Sequence, residues 1–152
     1  MPKTTSSNSG IYILEMYACE EFQIQVKKFK DISIPKGYHY YIGSAQKNLS
    51  QRIKRHFRKE KKIHWHIDHL TSDENIKLAN AYVIYDAPKN MEEEIANDFP
   101  DNFKSKILLK GFGNSDTKGT ITHLFYNRKK IPYNHFSARY QSIVRFKLSS
   151  NE

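Results

Sequence analysis

The sequence contains almost no cysteine, no long apolar run and no recognisable export signal. Its single cysteine, Cys19, has no intrachain disulfide partner and cannot by itself build a cysteine-based zinc site. No apolar run approaches the ~18 residues of a transmembrane helix, and residues 1–10 lack the apolar core and cleavage pattern of a secretory signal. We therefore expect a cytoplasmic protein that does not enter a membrane.

Acidic residues are also scarce relative to basic ones, and the basic excess is unevenly distributed. Lys and Arg number 25 against 16 Asp and Glu, which gives a formal net charge of +9. Eight basic residues fall within 47–62 beside Glu60 alone, and six fall within 126–147, whereas residues 86–101 are acidic. Clustered basic residues are typical of proteins that bind polyanions, so we expect a nucleic-acid partner. A well-solvated basic surface is the alternative interpretation.

The length of 152 residues fits one domain with a tail, and the hydrophobic content of 38% is enough to form a core. Apolar residues that alternate with polar ones predict strands, whereas Leu49, Ile53 and Phe57 recur at the spacing of a helix. The pattern predicts an α+β fold, a small and mostly antiparallel sheet flanked by helices. The predicted strands span residues 11–16, 22–26, 38–42, 77–85, 122–126 and 142–148, and helices follow at 49–57, 63–70 and 90–99, the last ended by Pro100.

Two side chains on the first predicted helix are candidates for holding a phosphate. Arg52 and His56 lie four residues apart, so they share one helical face beside the apolar stripe. That placement directs them over the edge of the sheet, next to a strand that carries tyrosines. The alternative is that Arg52 is one of several solvated cations and His56 is a residue at the core boundary.

Several short motifs follow one another in a recognisable order. Gly-Ile-Tyr opens the first predicted strand at residues 10–12, and Tyr-Ile-Gly ends the third at 41–43. His-Trp-His-Ile-Asp occupies 64–68, and a Gly-Phe-Gly loop at 111–113 precedes Ser-Asp and His-Leu-Phe. Together with Arg52 and His56, this order resembles the GIY-YIG nuclease superfamily, and within it a small single-domain subgroup that is sometimes fused to base-excision glycosylases. The resemblance covers residues 10 to about 126.

The resemblance implies a metal-dependent DNA endonuclease that hydrolyses phosphodiester bonds with Mg²⁺ or Mn²⁺. Tyr12 and Tyr41 match the motif tyrosines, and which of them acts as the base stays open. Arg52 matches the arginine that contacts the scissile phosphate, and His56 matches the position four residues later. Glu92 fits the metal glutamate best, because Ile95 and Ala96 follow it at the expected spacing, while Glu93 and Glu94 remain alternatives.

The sequence also departs at three places from the superfamily or from the subgroup. Ser44 stands where the excision-repair nucleases carry a lysine, so no lysine there lowers the pKa of a tyrosine. The asparagine that many relatives carry near the end of the core has no fixed counterpart, although Asn114, Ser115 and Asp116 lie in the right loop. Thr117 stands where the subgroup often has a cysteine.

Further residues are expected to serve binding rather than chemistry. Exposed cations of the basic helix are the expected phosphate contacts: Lys54, Arg55, Arg58 and Lys59. His64 and His66 are expected to form one wall of the active site. A zinc site built from His66 and His69 is an alternative, but it needs further ligands from elsewhere in the chain.

The expected organisation is a disordered tail at 1–9, a GIY-YIG-like nuclease domain at 10–127 and a basic extension at 128–152 packed on the same domain. The main alternative function is a non-catalytic nucleic-acid-binding module with the same fold. Glu92 separates the two interpretations, because a protein that only binds nucleic acid does not need a metal carboxylate.

Overall fold

A single five-stranded antiparallel sheet organises the molecule. The computed structural model describes residues 8–113 and 122–148. The strands lie in the order β6-β4-β1-β5-β7, and β2 pairs with β3 in a separate two-stranded sheet. The elements in chain order are β1 (Gly10–Ala18), β2 (Phe22–Gln23), a 3₁₀ turn (Lys27–Phe29), β3 (Ser33–Ile34), β4 (Gly37–Ala45), α1 (Leu49–Phe57), α2 (His66–Thr71), β5 (Ile76–Tyr85), α3 (Asn90–Phe103), β6 (Leu124–Asn127), α4 (Tyr133–Arg139) and β7 (Val144–Arg145). The predicted α+β class is confirmed. Within the described residues, no helix has the length and apolar character needed to cross a membrane.

Strand β1 is central and separates two apolar clusters. Successive side chains of a strand point to opposite faces of a sheet. Tyr12 and Leu14 therefore join the cluster that contains the buried residues of α1 and α2. Ile11 and Ile13 join the cluster that contains those of α3 and α4. The sheet is covered on both faces, which explains why β1 is apolar on both.

The pairing of the three central strands brings three chain segments to one end of the sheet. The first residue of β1, Gly10, pairs with Ala45 at the end of β4 and with Tyr85 at the end of β5. Helix α1 follows β4 and helix α3 follows β5. The beginnings of both helices therefore lie beside the start of β1, and this end of the sheet is where the candidate site forms.

Several predicted elements are shorter or longer than the sequence pattern suggested, and the strand predicted at 142–148 is limited to Val144–Arg145. The strand predicted at 22–26 is limited to Phe22–Gln23, because the following residues enter a 3₁₀ turn. The helix predicted to stop before Pro100 continues to Phe103. Proline usually breaks a helix interior, but here only three residues follow it, and the Phe103 ring packs 4.6 Å from the Phe99 ring. That packing stabilises the last turn.

The segment after residue 127 packs on the sheet and contains a helix, α4, that the sequence analysis did not predict. Phe136 of α4 is fully buried, and β7 pairs with β5. A buried polar group anchors the beginning of this segment, because the Tyr40 hydroxyl accepts a hydrogen bond from the Ile131 amide at 2.8 Å. The same hydroxyl donates to the carboxylate of Glu15, which is fully buried.

Candidate active site

A cavity of about 500 Å³ opens at the end of the sheet where β1 begins and β4 ends. Its inner wall is formed by buried side chains such as Tyr12 and His56, and exposed residues such as Lys47 and Lys89 lie at its mouth. The lining includes all five residues to which the sequence analysis assigned catalysis or metal binding: Tyr12, Tyr41, Arg52, His56 and Glu92.

Tyr12 and His56 form a buried hydrogen-bonded pair on the floor of the cavity. The Tyr12 hydroxyl lies 2.9 Å from Nε2 of His56. Burial raises the pKa of Tyr12 well above its ordinary value, against the opposing charge of Arg52. Burial lowers the pKa of His56 to about 3, so its ring is neutral at pH 7. Nδ1 of His56 has no hydrogen-bond partner in the described part of the chain, so no second contact fixes the tautomer.

Tyr41 lies beside this pair. Because Tyr12 pairs with Gly43 and Leu14 pairs with Tyr41, the two tyrosines are diagonal neighbours on one face of the sheet, with ring centroids 6.5 Å apart. Burial, followed by the proximity of Tyr12 and Glu92, raises the pKa of Tyr41 well above its ordinary value. Both tyrosines are therefore protonated when the cavity contains no ligand.

Gly43 makes room for the Tyr12 ring. A Cβ atom on Gly43 would lie 2.4 Å from Cζ and 2.5 Å from the hydroxyl oxygen of Tyr12, which is closer than real contacts allow. The structure thus explains why glycine stands at the last position of the Tyr-Ile-Gly motif. The Tyr12 phenol occupies the space that a side chain at position 43 would fill.

Arg52 projects from α1 into the same cavity. Its Nη1 donates a hydrogen bond of 2.7 Å to the carbonyl oxygen of Ser44, and its guanidinium carbon lies 5.2 Å from the centre of the Trp65 ring. These contacts hold the guanidinium beside Tyr12 in a fixed orientation. A guanidinium has five N–H donors, so a single bond to a carbonyl leaves capacity to bind a phosphate.

Glu92 reaches the cavity from the first turn of α3, where a carboxylate is favoured by the helix dipole. One carboxylate oxygen accepts a 2.5 Å hydrogen bond from the Ser44 hydroxyl, and the other lies 3.0 Å from Nδ1 of His123. Burial alone would raise the pKa of Glu92, but the hydrogen bonds from His123 and Ser44 outweigh it and lower the pKa below its ordinary value. Glu92 is therefore ionised at neutral pH.

Ser44 and His123 are site residues that the sequence analysis did not assign. His123 is fully buried, and its Nδ1 also lies 3.1 Å from the carbonyl oxygen of Ile42. Residues 42 and 123 meet only because the segment that leads into β6 pairs with β4. A contact between residues 81 positions apart leaves no periodic pattern in the sequence. The His-Leu-Phe motif was therefore the sequence feature that could have indicated a role for His123.

The donor set at Glu92 is compatible with a hard divalent cation. A carboxylate offers about four lone-pair positions, of which Ser44 and His123 occupy two. Mg²⁺ usually keeps several waters and takes substrate phosphate oxygens, so a single protein carboxylate fits the ligand habits of this ion. Among the residues that the structure describes, no three His, Cys, Asp or Glu side chains are grouped to hold a metal.

The basic residues of α1 and the following segment divide into two groups. Arg55 forms a bidentate pair with the buried Asp68 at 2.8 and 3.0 Å, and Lys59 donates to the carbonyl oxygens of Asp73 and Ile76. Lys54 and Arg58 are exposed and have no carboxylate partner within the described residues. Of the four predicted phosphate contacts, these two are the available cations.

The His-Trp-His segment forms one side of the cavity. His64, Trp65 and His66 all contribute to the lining, which brings the two histidines that the sequence analysis expected at an active-site wall to this cavity. The predicted helix over 63–70 begins only at His66, because the Asp68 carboxylate accepts the amides of His64 and Trp65 at 2.8 and 3.0 Å. Asn114, Ser115, Asp116 and Thr117 lie outside the described residues.

A comparison with protein families finds one match that covers most of the chain. The model of a family described as a domain of unknown function, DUF123, matches residues 11–145. The match includes the segment after residue 127, which the sequence resemblance did not reach. No curated protein and no solved structure matches the chain.

Proposed function

The chain belongs to the DUF123 family, and we propose that it is a metal-dependent DNA endonuclease of the GIY-YIG type. One observation carries the proposal. Tyr12, Tyr41, Arg52, His56 and Glu92 come from four separate elements and line a single cavity. Together, buried tyrosines, a histidine, an arginine and an ionised carboxylate can supply the proton transfer, charge neutralisation and metal binding that phosphodiester hydrolysis needs.

Arg52 binds the phosphate. A guanidinium pairs with two phosphate oxygens at once, and its charge neutralises the negative charge that develops on the phosphorus oxygens during attack. The bond to the Ser44 carbonyl oxygen and the contact with Trp65 restrict the side chain before substrate arrives. Little ordering cost therefore remains when the phosphate binds.

Tyr12 and His56 move the proton of the attacking water. Tyr12 accepts a proton from water while its own hydroxyl proton passes to Nε2 of His56, 2.9 Å away. In the free protein, burial and the nearby Lys61, Arg55 and Arg52 hold the pKa of His56 at about 3. A bound phosphodiester anion offsets those positive charges and raises the affinity of His56 for a proton. Substrate binding therefore favours the relay.

Tyr41 stays protonated and donates its hydroxyl hydrogen toward the phosphate or the water. Its raised pKa supports this role, because a phenol that does not ionise is a donor at every physiological pH. Glu92 would hold the divalent cation, with Ser44 and His123 fixing the orientation of its carboxylate. When bound, Mg²⁺ or Mn²⁺ supplies charge stabilisation for the phosphorane and lowers the pKa of water.

The second candidate is a nucleic-acid-binding module without catalysis. The observation that favours it is that both oxygens of Glu92 already have partners within the protein. A carboxylate used only to orient Ser44 and His123 would be structural. Both candidates share the net charge of +9, which attracts polyanions but does not select a reaction.

The test is a cleavage screen over blunt duplex, nicked, gapped, flapped and single-stranded DNA, with Mg²⁺, with Mn²⁺ and with EDTA. We expect cation-dependent cleavage of at least one substrate by the wild type. Arg52→Gln should reduce the rate at least about a hundredfold, since it removes the phosphate-binding charge. Arg139→Gln, on exposed α4, is the matched control and should keep wild-type activity. DNA binding without cleavage of any substrate would favour the binding module.

A further inference from the structure

Trp65 is the only tryptophan of the chain, and it lies at the rim of the cavity with 42% of its surface exposed. A large aromatic side chain contributes most to stability when it is buried. Trp65 is half exposed at the rim of a polar cavity, so its ring contributes less to stability than a buried ring would. Stability alone therefore does not explain its position. The exposed part of the ring is available to a ligand in the cavity.

The Trp65 backbone is held firmly despite lying outside regular structure. The carboxylate of the fully buried Asp68 accepts the amides of His64 and Trp65 and also binds Arg55 in bidentate fashion. Because the carboxylate that fixes the backbone also fixes Arg55, the ring and the cation beside it are positioned together. The backbone that carries the Trp65 ring is thus preorganised.

Two guanidinium groups contact the indole ring. The guanidinium carbons of Arg52 and Arg55 lie 5.2 and 4.7 Å from the centre of the Trp65 ring. Both cations come from α1, and the rings of His56 and His64 lie 6.3 Å from the Trp65 ring, so the exposed 42% is the part that these neighbours leave open. A ligand that stacks on the open part of the ring therefore has its anionic group near Arg52. A nucleotide has this combination of a flat ring and an adjacent anion.

We propose that Trp65 stacks an unpaired nucleobase next to the phosphate that Arg52 binds, so that the substrate carries an unpaired nucleotide at the cutting position. The inference rests on the proposed function for the identity of the occupant. In a continuous duplex both faces of every base are covered by neighbouring bases, so an internal paired base has no free face for the indole. Single strands, flaps, gaps and extruded bases do offer one, and aromatic side chains bind them with little sequence preference.

The only tryptophan makes stacking directly observable by intrinsic fluorescence. In EDTA, so that strands stay intact, we expect a short single-stranded DNA and a gapped duplex to quench the emission strongly. A blunt duplex of the same sequence should bind the basic surface but quench little. Equal quenching by the blunt duplex and the single strand would overturn the proposal.

Variants at position 65 supply the matched affinity measurement. Trp65→Ala should weaken binding of single-stranded DNA between about fivefold and about a hundredfold, the range measured for loss of one base-stacking aromatic. Its affinity for the blunt duplex should not change. Trp65→Phe keeps a ring and should lose less, and Ile63→Ala, equally exposed in the same segment but outside the cavity lining, should lose nothing. If Trp65→Ala does not fold, the Phe variant and the wild-type quenching decide.

The outcomes separate the two proposals. Cleavage that is unaffected by Trp65→Ala, with equal loss of affinity for single strand and duplex, would leave the nuclease standing and reject the stacking role. Selective quenching by single strands without any cleavage would reject the nuclease and retain the stacking role. A protein that binds neither form of DNA would contradict both.

Discussion

The hydroxyl of Tyr12 and Nε2 of His56 lie 2.9 Å apart, although the residues are 44 positions apart in the sequence. The contact exists because β1 and β4 pair so that α1, which follows β4, lies beside the start of β1. Both groups are buried, and each is neutral in the absence of substrate. Under the proposed mechanism, an anion in the cavity raises the proton affinity of His56 and favours proton transfer within the pair.

The buried neutral His56 makes stability depend on pH. Its pKa falls from 6.5 to about 3 on folding, so below pH 6.5 the unfolded chain binds a proton that the native state does not. His39, whose pKa burial lowers to about 4, acts in the same direction. We expect the free energy of unfolding to fall as the pH drops from about 6.5 to about 4, by up to about 1.4 kcal/mol per pH unit for each histidine.

Urea denaturation at a series of pH values checks this expectation. In His56→Gln, the slope of the unfolding free energy against pH should fall by the equivalent of about one bound proton. His135→Gln, on an exposed position of α4, should keep the wild-type slope. An unchanged slope in His56→Gln would show that His56 is already charged in the native protein.

Gly43→Ala should displace the Tyr12 ring. The new Cβ would lie 2.4 Å from Cζ of Tyr12, so we expect about 1–3 kcal/mol of destabilisation together with loss of cleavage. Tyr12→Ala removes the obstructing ring, so adding Gly43→Ala to that variant should cost much less. A double-mutant cycle of unfolding free energies measures the coupling, and strictly additive effects would contradict the contact.

Lys54 and Arg58 should provide phosphate contacts, whereas Arg55 should contribute mainly to stability. Each phosphate neutralised adds about −0.9 to the slope of log affinity against log salt. Lys54→Gln and Arg58→Gln should therefore each make the slope of log affinity against log salt less negative by about 0.9. Neither substitution should change the unfolding free energy. The measurement is a titration of labelled duplex DNA at several salt concentrations.

Arg55→Gln serves as the contrast, since it leaves the buried Asp68 without its cation. We expect it to destabilise the fold by about 2–4 kcal/mol, less than for a fully buried pair because Arg55 is partly exposed. A slope that falls with Arg55→Gln but not with Lys54→Gln would reverse this assignment.

Local patterns predicted most of the secondary structure but not all of it. The apolar run of β1 was enough because both faces of that strand are buried, and the four-residue repeat of α1 was enough because one face of that helix is buried against the core. Pro100 was misleading, because packing of Phe103 against Phe136 of α4, with ring centroids 5.0 Å apart, outweighed a local breaking signal. Helix α4 was missed because only Phe136 within it is buried, which leaves no repeat to detect.

The candidate site, like the secondary structure, was only partly predictable from the sequence. Tyr12, Tyr41, Arg52 and Glu92 belong to short motifs that can be recognised within the sequence. Their convergence depends on antiparallel pairing between β1, β4 and β5, which no single motif encodes. His123 and Ser44 became apparent only through their contacts with Glu92, because neither residue type at those positions points to a role by itself.

The most direct test of the account is a nicking assay with Mg²⁺ on the wild type, Glu92→Gln and Glu94→Gln. Glutamine keeps the size of the side chain but removes the charge that would hold the cation. We expect Glu92→Gln to fold, to bind DNA at least as tightly as the wild type, and to lose at least about a hundredfold in rate. Glu94→Gln, on an exposed position of the same helix, should cut like the wild type. Equal cleavage by the wild type and Glu92→Gln would contradict the account.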